Sequence, residues 1–286
     1  MAGHPFTLLD VFTADRLQGN QLAVVHDADD VPDAVMHRFA RETRLSETSF
    51  LQSPTREPAT YRNRIWTMAE ELPFAGHPSL GAAAAVARAR GEERVTYVQE
   101  TRAGLQPVDV ELRGDVAATS MLQEPPVFGP ELDPGEVLPL VGLEAADADP
   151  DLPPQVVSTG VPQVLVQLRD EGRLVAARPD YERLGPLIAA HGAVVVYVSA
   201  VDVRGGTARA RSFMATAEMG EDPATGSAVG PLMAHVAERA GTARLEVIQG
   251  VEMGRPSHLR AAIEGDRVRV GGDVVTVIEG TVHLDG

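Results

Sequence analysis

Two glycine-rich turns carry most of the candidate chemistry of this 286-residue chain. The first reads Phe74-Ala75-Gly76-His77-Pro78-Ser79-Leu80-Gly81 and runs on through Ala82 to Ala85. The second reads Glu221-Asp222-Pro223-Ala224-Thr225-Gly226-Ser227-Ala228-Val229-Gly230. Each follows a strand-like stretch and opens an Ala-rich, helix-like one. A glycine turn at a helix start leaves backbone N–H groups without intrahelical partners. Those donors and the helix dipole suit a carboxylate or another small anion. Side chains able to move protons lie in or near the turns: His77 in the first, Asp222 and Ser227 in the second. Glu47 joins them from Leu45-Ser46-Glu47-Thr48-Ser49-Phe50, between the first helix and a strand. Each also has a purely structural reading. Glu47 fits a local cap or a solvated strand end, Asp222 the N-cap of the helix that follows. His77 fits a helix-start histidine bonded to backbone, and Ser227 a cap or a packing residue. The pair Glu70-Glu71 reads as a solvated loop.

Composition narrows the chemistry further. The chain has no cysteine, which removes thiolate zinc sites, iron–sulfur clusters and cysteine nucleophiles. It has no lysine either, because all 25 basic residues are arginine. Schiff-base chemistry and the Walker phosphate loop go with it. Thr225 stands two residues before Ser227, so the Gly-x-Ser-x-Gly elbow of many hydrolases is broken. There is no His-Glu-x-x-His zinc motif and no Gly-x-Gly-x-x-Gly dinucleotide fingerprint. Cofactor-free and metal-free acid–base chemistry by Glu, Asp and His is what remains. A net charge of −16 argues against a nucleic-acid partner, although local N–H donors and Arg still admit a small anionic substrate. No apolar run reaches the ~20 residues of a membrane span. The N-terminus lacks a basic, cleavable leader, so a cytoplasmic protein with no membrane partner is expected.

The elements that must position these residues follow from periodicity. Period-two and apolar runs predict strands over 6–12, 22–26, 48–52, 60–67, 94–100, 106–112 and 116–122. A second set covers 155–158, 163–168, 193–199, 207–214, 244–249, 258–263, 267–270 and 274–278. Helical spacing marks 32–43, 78–90, 181–191 and 225–240, with a short helix near 135–141. A connection rich in Pro, Asp and Glu spans 123–154. The division expected is an N-terminal lobe over 1–127, to which a strand at about 276–286 returns, and a C-terminal lobe over 128–275. Gly76 and Gly226 lie 150 residues apart, which suggests duplication of one α+β unit, with a ligand site in the cleft between two lobes.

Five blocks in order resemble the phenazine-biosynthesis PhzF-like isomerase family. They are Gly19-Asn20-Gln21-Leu22-Ala23-Val24-Val25, Leu45 to Phe50, Arg64-Ile65-Trp66-Thr67 running on through Glu71 to Pro78, Glu221 to Ala228, and Gln249-Gly250-Val251-Glu252-Met253-Gly254-Arg255-Pro256-Ser257. The resemblance implies an α+β fold of two similar lobes, each a β-barrel-like sheet around a central helix, shared with diaminopimelate epimerase and proline racemase. Those relatives use a cysteine from each lobe, which this chain cannot do. The PhzF-like branch uses one glutamate, and the matching position is Glu47. His77, Asp222 and Ser227 carry over as supporting catalytic positions. Gly76, Ser79, Thr225, Gly226 and Asn20 stand as substrate contacts. The function implied is isomerisation of a small carboxylate by proton transfer, as for trans-2,3-dihydro-3-hydroxyanthranilate, by a homodimer without a cofactor. An epimerase or tautomerase of another amino-acid-like metabolite, or a silent binding relative, stands beside it. Met68-Ala69-Glu70 departs from the family's usual residues and bears on substrate choice.

Overall fold

The computed structural model describes residues 3–284, which divide into two compact units. One unit comprises 3–121 with 271–284, and the other 122–270.

The first unit contains β1 (His4–Val11), β2 (Asn20–Val25), α1 (Asp33–Thr43), β3 (Thr48–Gln52), β4 (Tyr61–Trp66), β5 (Glu71–Leu72), α2 (Gly76–Arg90), β6 (Arg94–Thr101), β7 (Gly104–Arg113) and β8 (Val116–Leu122). The second contains β9 (Val127–Glu131), α3 (Pro134–Val137), β10 (Gln155–Ser158), β11 (Pro162–Leu168), α4 (Glu171–Ala176), α5 (Tyr181–Ala190), β12 (Val196–Asp202), β13 (Thr207–Phe213), β14 (Glu221–Asp222), α6 (Gly226–Ala240), β15 (Arg244–Gln249) and β16 (Ser257–Glu264). β17 (Arg267–Val282) begins in the second unit and ends in the first.

In the first unit the strand pairings close on themselves. β1 pairs with β2, β2 runs parallel to β3, β3 pairs with β4, and β4 runs parallel to β6. β6 pairs with β7, β7 with β8, β8 with β17, and β17 with β1 again. Closure leaves no free edge in this ring of eight strands. α2 lies against six of them, β1, β2, β3, β4, β6 and β7. Its residues from His77 to Ala87 are buried on every face, as a helix with no polar side requires. The alanine run keeps it thin. At Gly81 an added Cβ would stand 2.5 Å from Leu22 Cδ2 and 2.9 Å from Val11 Cγ2, so the strands approach closely there.

The second unit repeats the order and sense of pairing. β9 pairs with β10 and β10 with β11, both antiparallel. β11 runs parallel to β12, β12 is antiparallel to β13, β13 runs parallel to β15, and β15 is antiparallel to β16. The short β14 pairs with β13 just as β5 pairs with β4. α6 occupies the place of α2 and touches β10, β11, β15 and β16. The architecture is α+β, built from two copies of one unit. Outside the second sheet, α4 and α5 cover β11 and β12 with Leu174, Leu184 and Ile188. Outside the first, α1 packs Val35, Met36 and Ala40 on Val25 and Phe50.

The four long helices fall where the spacing puts them. The short helix expected near 135–141 is present as α3 followed by a 3-10 turn over Leu138–Val141, and the Pro-rich connection also holds β9, which was not expected. Pro130 is tolerated in β9 because it falls where the β9–β10 register shifts, an irregularity of the kind that accepts proline. The stretches 267–270 and 274–278 are one strand, β17, carried through Gly271-Gly272. An added Cβ at Gly271 would stand 2.3 Å from the Thr119 carbonyl oxygen, so glycine here marks close approach of β8 and not a break. β12 begins at Val196, three residues later than expected. α4 and the two-residue strands β5 and β14 are too short to show a period. No helix among the described residues is long and apolar enough to cross a membrane.

Candidate active site

The first unit brings Asn20, Ser46, Glu47 and His77 together. β2 starts at Asn20, Glu47 immediately precedes β3, and His77 is the second residue of α2. Because β2 and β3 are parallel neighbours and α2 begins beside them, three separate chain segments start at the same end of the sheet. The Glu47 side chain is 17% exposed, and its Oε2 lies 3.5 Å from His77 Nε2. That oxygen is sealed from solvent, with no hydrogen-bond partner among the described residues. Loss of water pushes the Glu47 carboxyl from 4.5 up to about 7, against a smaller downward pull from the Ser46 hydroxyl. The Asn20 side-chain amide nitrogen lies 3.4 Å from His77 Nδ1, and the Ser46 hydroxyl 3.5 Å from Asn20 Oδ1. Asn20 and His77 are both buried. Ser79 is fully buried, and its hydroxyl donates to the Ala75 carbonyl at 2.7 Å, which fastens the turn. Gly76 opens the helix, where backbone N–H groups precede the first intrahelical bond.

The second unit builds a different arrangement on the same frame. Asp222 ends β14, Thr225 is the N-cap of α6, and Gly226 and Ser227 open the helix. The Thr225 hydroxyl donates to Asp222 Oδ2. Gln249, the last residue of β15, ties this turn together. Its Oε1 accepts from the Thr225 N–H at 3.1 Å and from the Tyr197 hydroxyl at 2.9 Å. Its amide nitrogen donates to the Asp222 carbonyl at 2.7 Å and to Thr225 Oγ1 at 3.1 Å. Asp222 is thus not the N-cap of α6; it orients the threonine that is. Ser227 receives the Gln163 amide at 3.4 Å on Oγ and 3.5 Å on its carbonyl.

Each turn is anchored by a buried arginine–glutamate pair. Arg64 on β4 donates to Glu71 Oε1 at 2.6 Å through Nε and to Oε2 at 2.8 Å through Nη2, and its third nitrogen reaches Asp33 of α1 at 2.9 Å. Arg211 on β13 donates to the two oxygens of Glu221 at 2.9 and 2.7 Å, and to the Ala177 carbonyl at 2.9 Å. Arg64 also lies over Trp66 and Arg211 over Phe213. Bidentate geometry fixes the short strand, and with it the turn five residues on. This corrects the solvated-loop expectation for Glu71, whose side chain is 8% exposed, whereas Glu70 is exposed as expected. The Arg-x-Trp…Glu and Arg-x-Phe…Glu echo was the signal available in the sequence. Gln163 carried none, since a glutamine in a strand resembles any other polar residue, and Gln249 stood out only as the first residue of a block resembling the family, with no role attached.

The two turns therefore supply different things: a carboxyl poised to gain or lose a proton near neutrality beside an imidazole, and a fixed carboxylate and hydroxyl beside helix N–H groups. A family model described as "Phenazine biosynthesis-like protein" matches residues 9–280. The chain is 36% identical to trans-2,3-dihydro-3-hydroxyanthranilate isomerase of Pseudomonas aeruginosa, over 98% of this chain and all of that one. A "predicted epimerase" of known structure from the same species is 34% identical, with a TM-score of 0.86 over 98% of this chain and 99% of that one. A PhzF-family protein from Bacillus anthracis superposes with a TM-score of 0.86 at 26% identity, covering 99% and 100% of the two chains.

Proposed function

Because the chain belongs to the phenazine biosynthesis-like (PhzC-PhzF) family, we propose that it is an isomerase in which Glu47 alone shuttles a proton within a small cyclic carboxylate, without a cofactor. The observation that carries this reading is the buried Glu47 carboxyl, pushed to about 7 and set 3.5 Å from His77 Nε2. A carboxyl with that affinity is divided between its two protonation states at neutral pH, the condition under which one group serves as base and then as acid.

The relative's substrate supplies a concrete case. Glu47 would take the proton from the hydroxyl-bearing ring carbon, and the electron pair would shift into the conjugated system. The same carboxyl would return the proton to another ring carbon on the same face. No atom is lost, and no second base on the opposite face is needed, in keeping with a chain that has no cysteine pair. His77 would steady the ionised carboxylate. In the first unit the N–H groups at Gly76 would receive the substrate carboxylate. In the second unit, taken by itself, the N–H groups at Gly226 with Ser227 suit an anion or a carbonyl oxygen, and Asp222, held by Thr225, an N–H or O–H.

The test is proton NMR of trans-2,3-dihydro-3-hydroxyanthranilate in D₂O with the native enzyme and with Glu47→Gln. Isomerisation with deuterium incorporation by the native enzyme, and neither with a folded Glu47→Gln, is expected. Undiminished turnover by that variant would remove Glu47 from the mechanism.

A further inference from the structure

The two central helices carry different residues at the same place. Trp66 lies opposite Glu71 across β4 and β5, and Phe213 opposite Glu221 across β13 and β14. Counting onward from these glutamates makes His77 and Ser227 equivalent, each the second residue of its helix. Each meets one buried carboxamide from the equivalent strand of its own unit, Asn20 in β2 and Gln163 in β11.

A carboxamide nitrogen only donates. Its orientation is read from what the oxygen accepts. Gln163 Oε1 accepts from the Val195 N–H at 3.2 Å, so its nitrogen faces Ser227. Asn20 stands with its amide nitrogen 3.4 Å from His77 Nδ1 and its Oδ1 3.5 Å from the Ser46 hydroxyl. His77 Nδ1 and Ser227 Oγ are therefore the accepting atoms. An imidazole that accepts at Nδ1 carries its proton at Nε2 when neutral, the atom that faces Glu47. A hydroxyl that accepts from Gln163 keeps its own proton for another acceptor. Pro231 strengthens the second case. It has no N–H to give the Ser227 carbonyl four residues earlier, and the Gln163 amide supplies that contact at 3.5 Å.

Building on Glu47 as the acid/base, we propose that Asn20 and Gln163 are positioning residues that make the second residue of each central helix a hydrogen-bond donor, His77 through Nε2–H and Ser227 through Oγ–H. Asn20 thereby acts on the reaction through His77. The atoms that fit are acceptors: the Glu47 carboxylate in the first unit, and in the second a carboxylate or carbonyl oxygen of a bound small molecule.

The first arm of the test needs no substrate. In enzyme labelled with ¹⁵N-histidine at pH 8, His77 is expected as the Nε2–H tautomer. Asn20→Leu, which leaves Glu47 to hold Nε2–H, should keep Nδ1 bare, and Asn20→Asp, whose carboxylate can only accept, should put a proton on Nδ1. An Nδ1–H tautomer in the native enzyme, or an Nδ1 that stays bare in Asn20→Asp, overturns the assignment for Asn20. The second arm is a double-mutant cycle. Gln163→Glu retains an acceptor for Val195 but claims the Ser227 proton. It is expected to lower kcat/KM at least tenfold in the native background and not at all in Ser227→Ala. An equal loss in both backgrounds shows a merely structural role. Gln163→Met, similar in size, provides the same cycle where the glutamate variant does not fold. Turnover that survives Glu47→Gln would sink the acid/base reading alone, and the His77 tautomer would still decide the role of Asn20.

Discussion

His77 Nε2 stands 3.5 Å from Glu47 Oε2, and burial pushes the carboxyl it faces to about 7. In the proposed mechanism, ionisation of Glu47 is the step that pH controls. With a folded value near 7, kcat/KM is expected to rise through that pH as the base form accumulates. Glu47→Gln should abolish the limb and cost roughly 10²–10⁴ in rate, the usual worth of a positioned acid/base. A pH–rate profile checks this. A limb centred near 4.5 would show that substrate-free burial does not govern the working group.

The same shift has a cost in stability, with a definite sign. Burial raises the Glu47 carboxyl above its unfolded value of 4.5, so between 4.5 and about 7 the unfolded chain releases a proton that the folded chain retains. Glu47 favours folding at low pH, and its contribution declines as pH rises through that window. Glu47→Gln, which does not ionise, is expected to gain stability over the native protein at pH 8, by up to about 3 kcal/mol, and little at pH 4. Urea melts at the two pH values measure the difference. An equal change at both would mean that the carboxyl is not held protonated.

His235 provides a control with the opposite pH dependence. It is fully buried in α6, with Nδ1 3.2 Å from Gln155 Oε1, and loss of water lowers it from 6.5 to about 4. Between these values the unfolded chain takes up a proton that the folded chain refuses, so stability falls as pH drops through that window. His235→Gln should flatten this acid limb while leaving the pH–rate profile centred where Glu47 places it. Chemical melts from pH 7 to 4 test it. An unchanged limb would assign acid instability to other groups.

Much of this is legible in the chain because it is repetitive. Two glycine turns before two Ala-rich helices mark the duplicated unit, and α2 and α6 begin at those glycines. His77 stands out as a chemistry-bearing type within such a turn, the family resemblance singles out Glu47, and the fold brings the two to 3.5 Å. What periodicity misses depends on distant partners. Glu71 looks like a solvated acid until Arg64, seven residues away in sequence, closes on it across a strand pair. Gln249 gathers Tyr197, Asp222 and Thr225 from other segments, and no local pattern announces such a hub. Gly271 looks like a break because sequence spacing cannot show that the Thr119 carbonyl oxygen lies against it.

The arginine–glutamate pairs should behave as buried ion pairs. Arg64 and Glu71 are 10% and 8% exposed at the side chain, so removing one partner leaves the other charged in poor contact with water. Asp33 stays with Arg64 and Arg102 lies 3.5 Å from Glu71, so Arg64→Met or Glu71→Gln is expected to fall at the lower end of roughly 3–5 kcal/mol. The double variant Arg64→Met/Glu71→Met should cost much less than the sum, because no lone charge remains. Thermal or urea unfolding of the three proteins measures the coupling. Additive losses would show that the two residues act independently.

Gln249 makes a sharper case, because its two ends do opposite work. Gln249→Leu deprives the Tyr197 hydroxyl and the Thr225 N–H of their acceptor and the Asp222 carbonyl of its amide donor. Each buried polar group left unsatisfied costs about 1–3 kcal/mol, so a loss of several kcal/mol is expected. Gln249→Glu keeps the acceptor for Tyr197 and Thr225 but gives no donor to the Asp222 carbonyl or to Thr225 Oγ1. It also adds a carboxylate near Asp222. The glutamate variant should therefore approach native stability at pH 4, where the new carboxyl can hold a proton, and fall behind as pH rises. It should also raise KM for a carboxylate substrate at pH 8, where a second negative charge stands at the turn. Urea melts at pH 4 and 8 with steady-state kinetics at pH 8 separate the two ends. Equal losses for Leu and Glu at both pH values would mean that the retained acceptor contributes nothing and that Gln249 serves only as a donor.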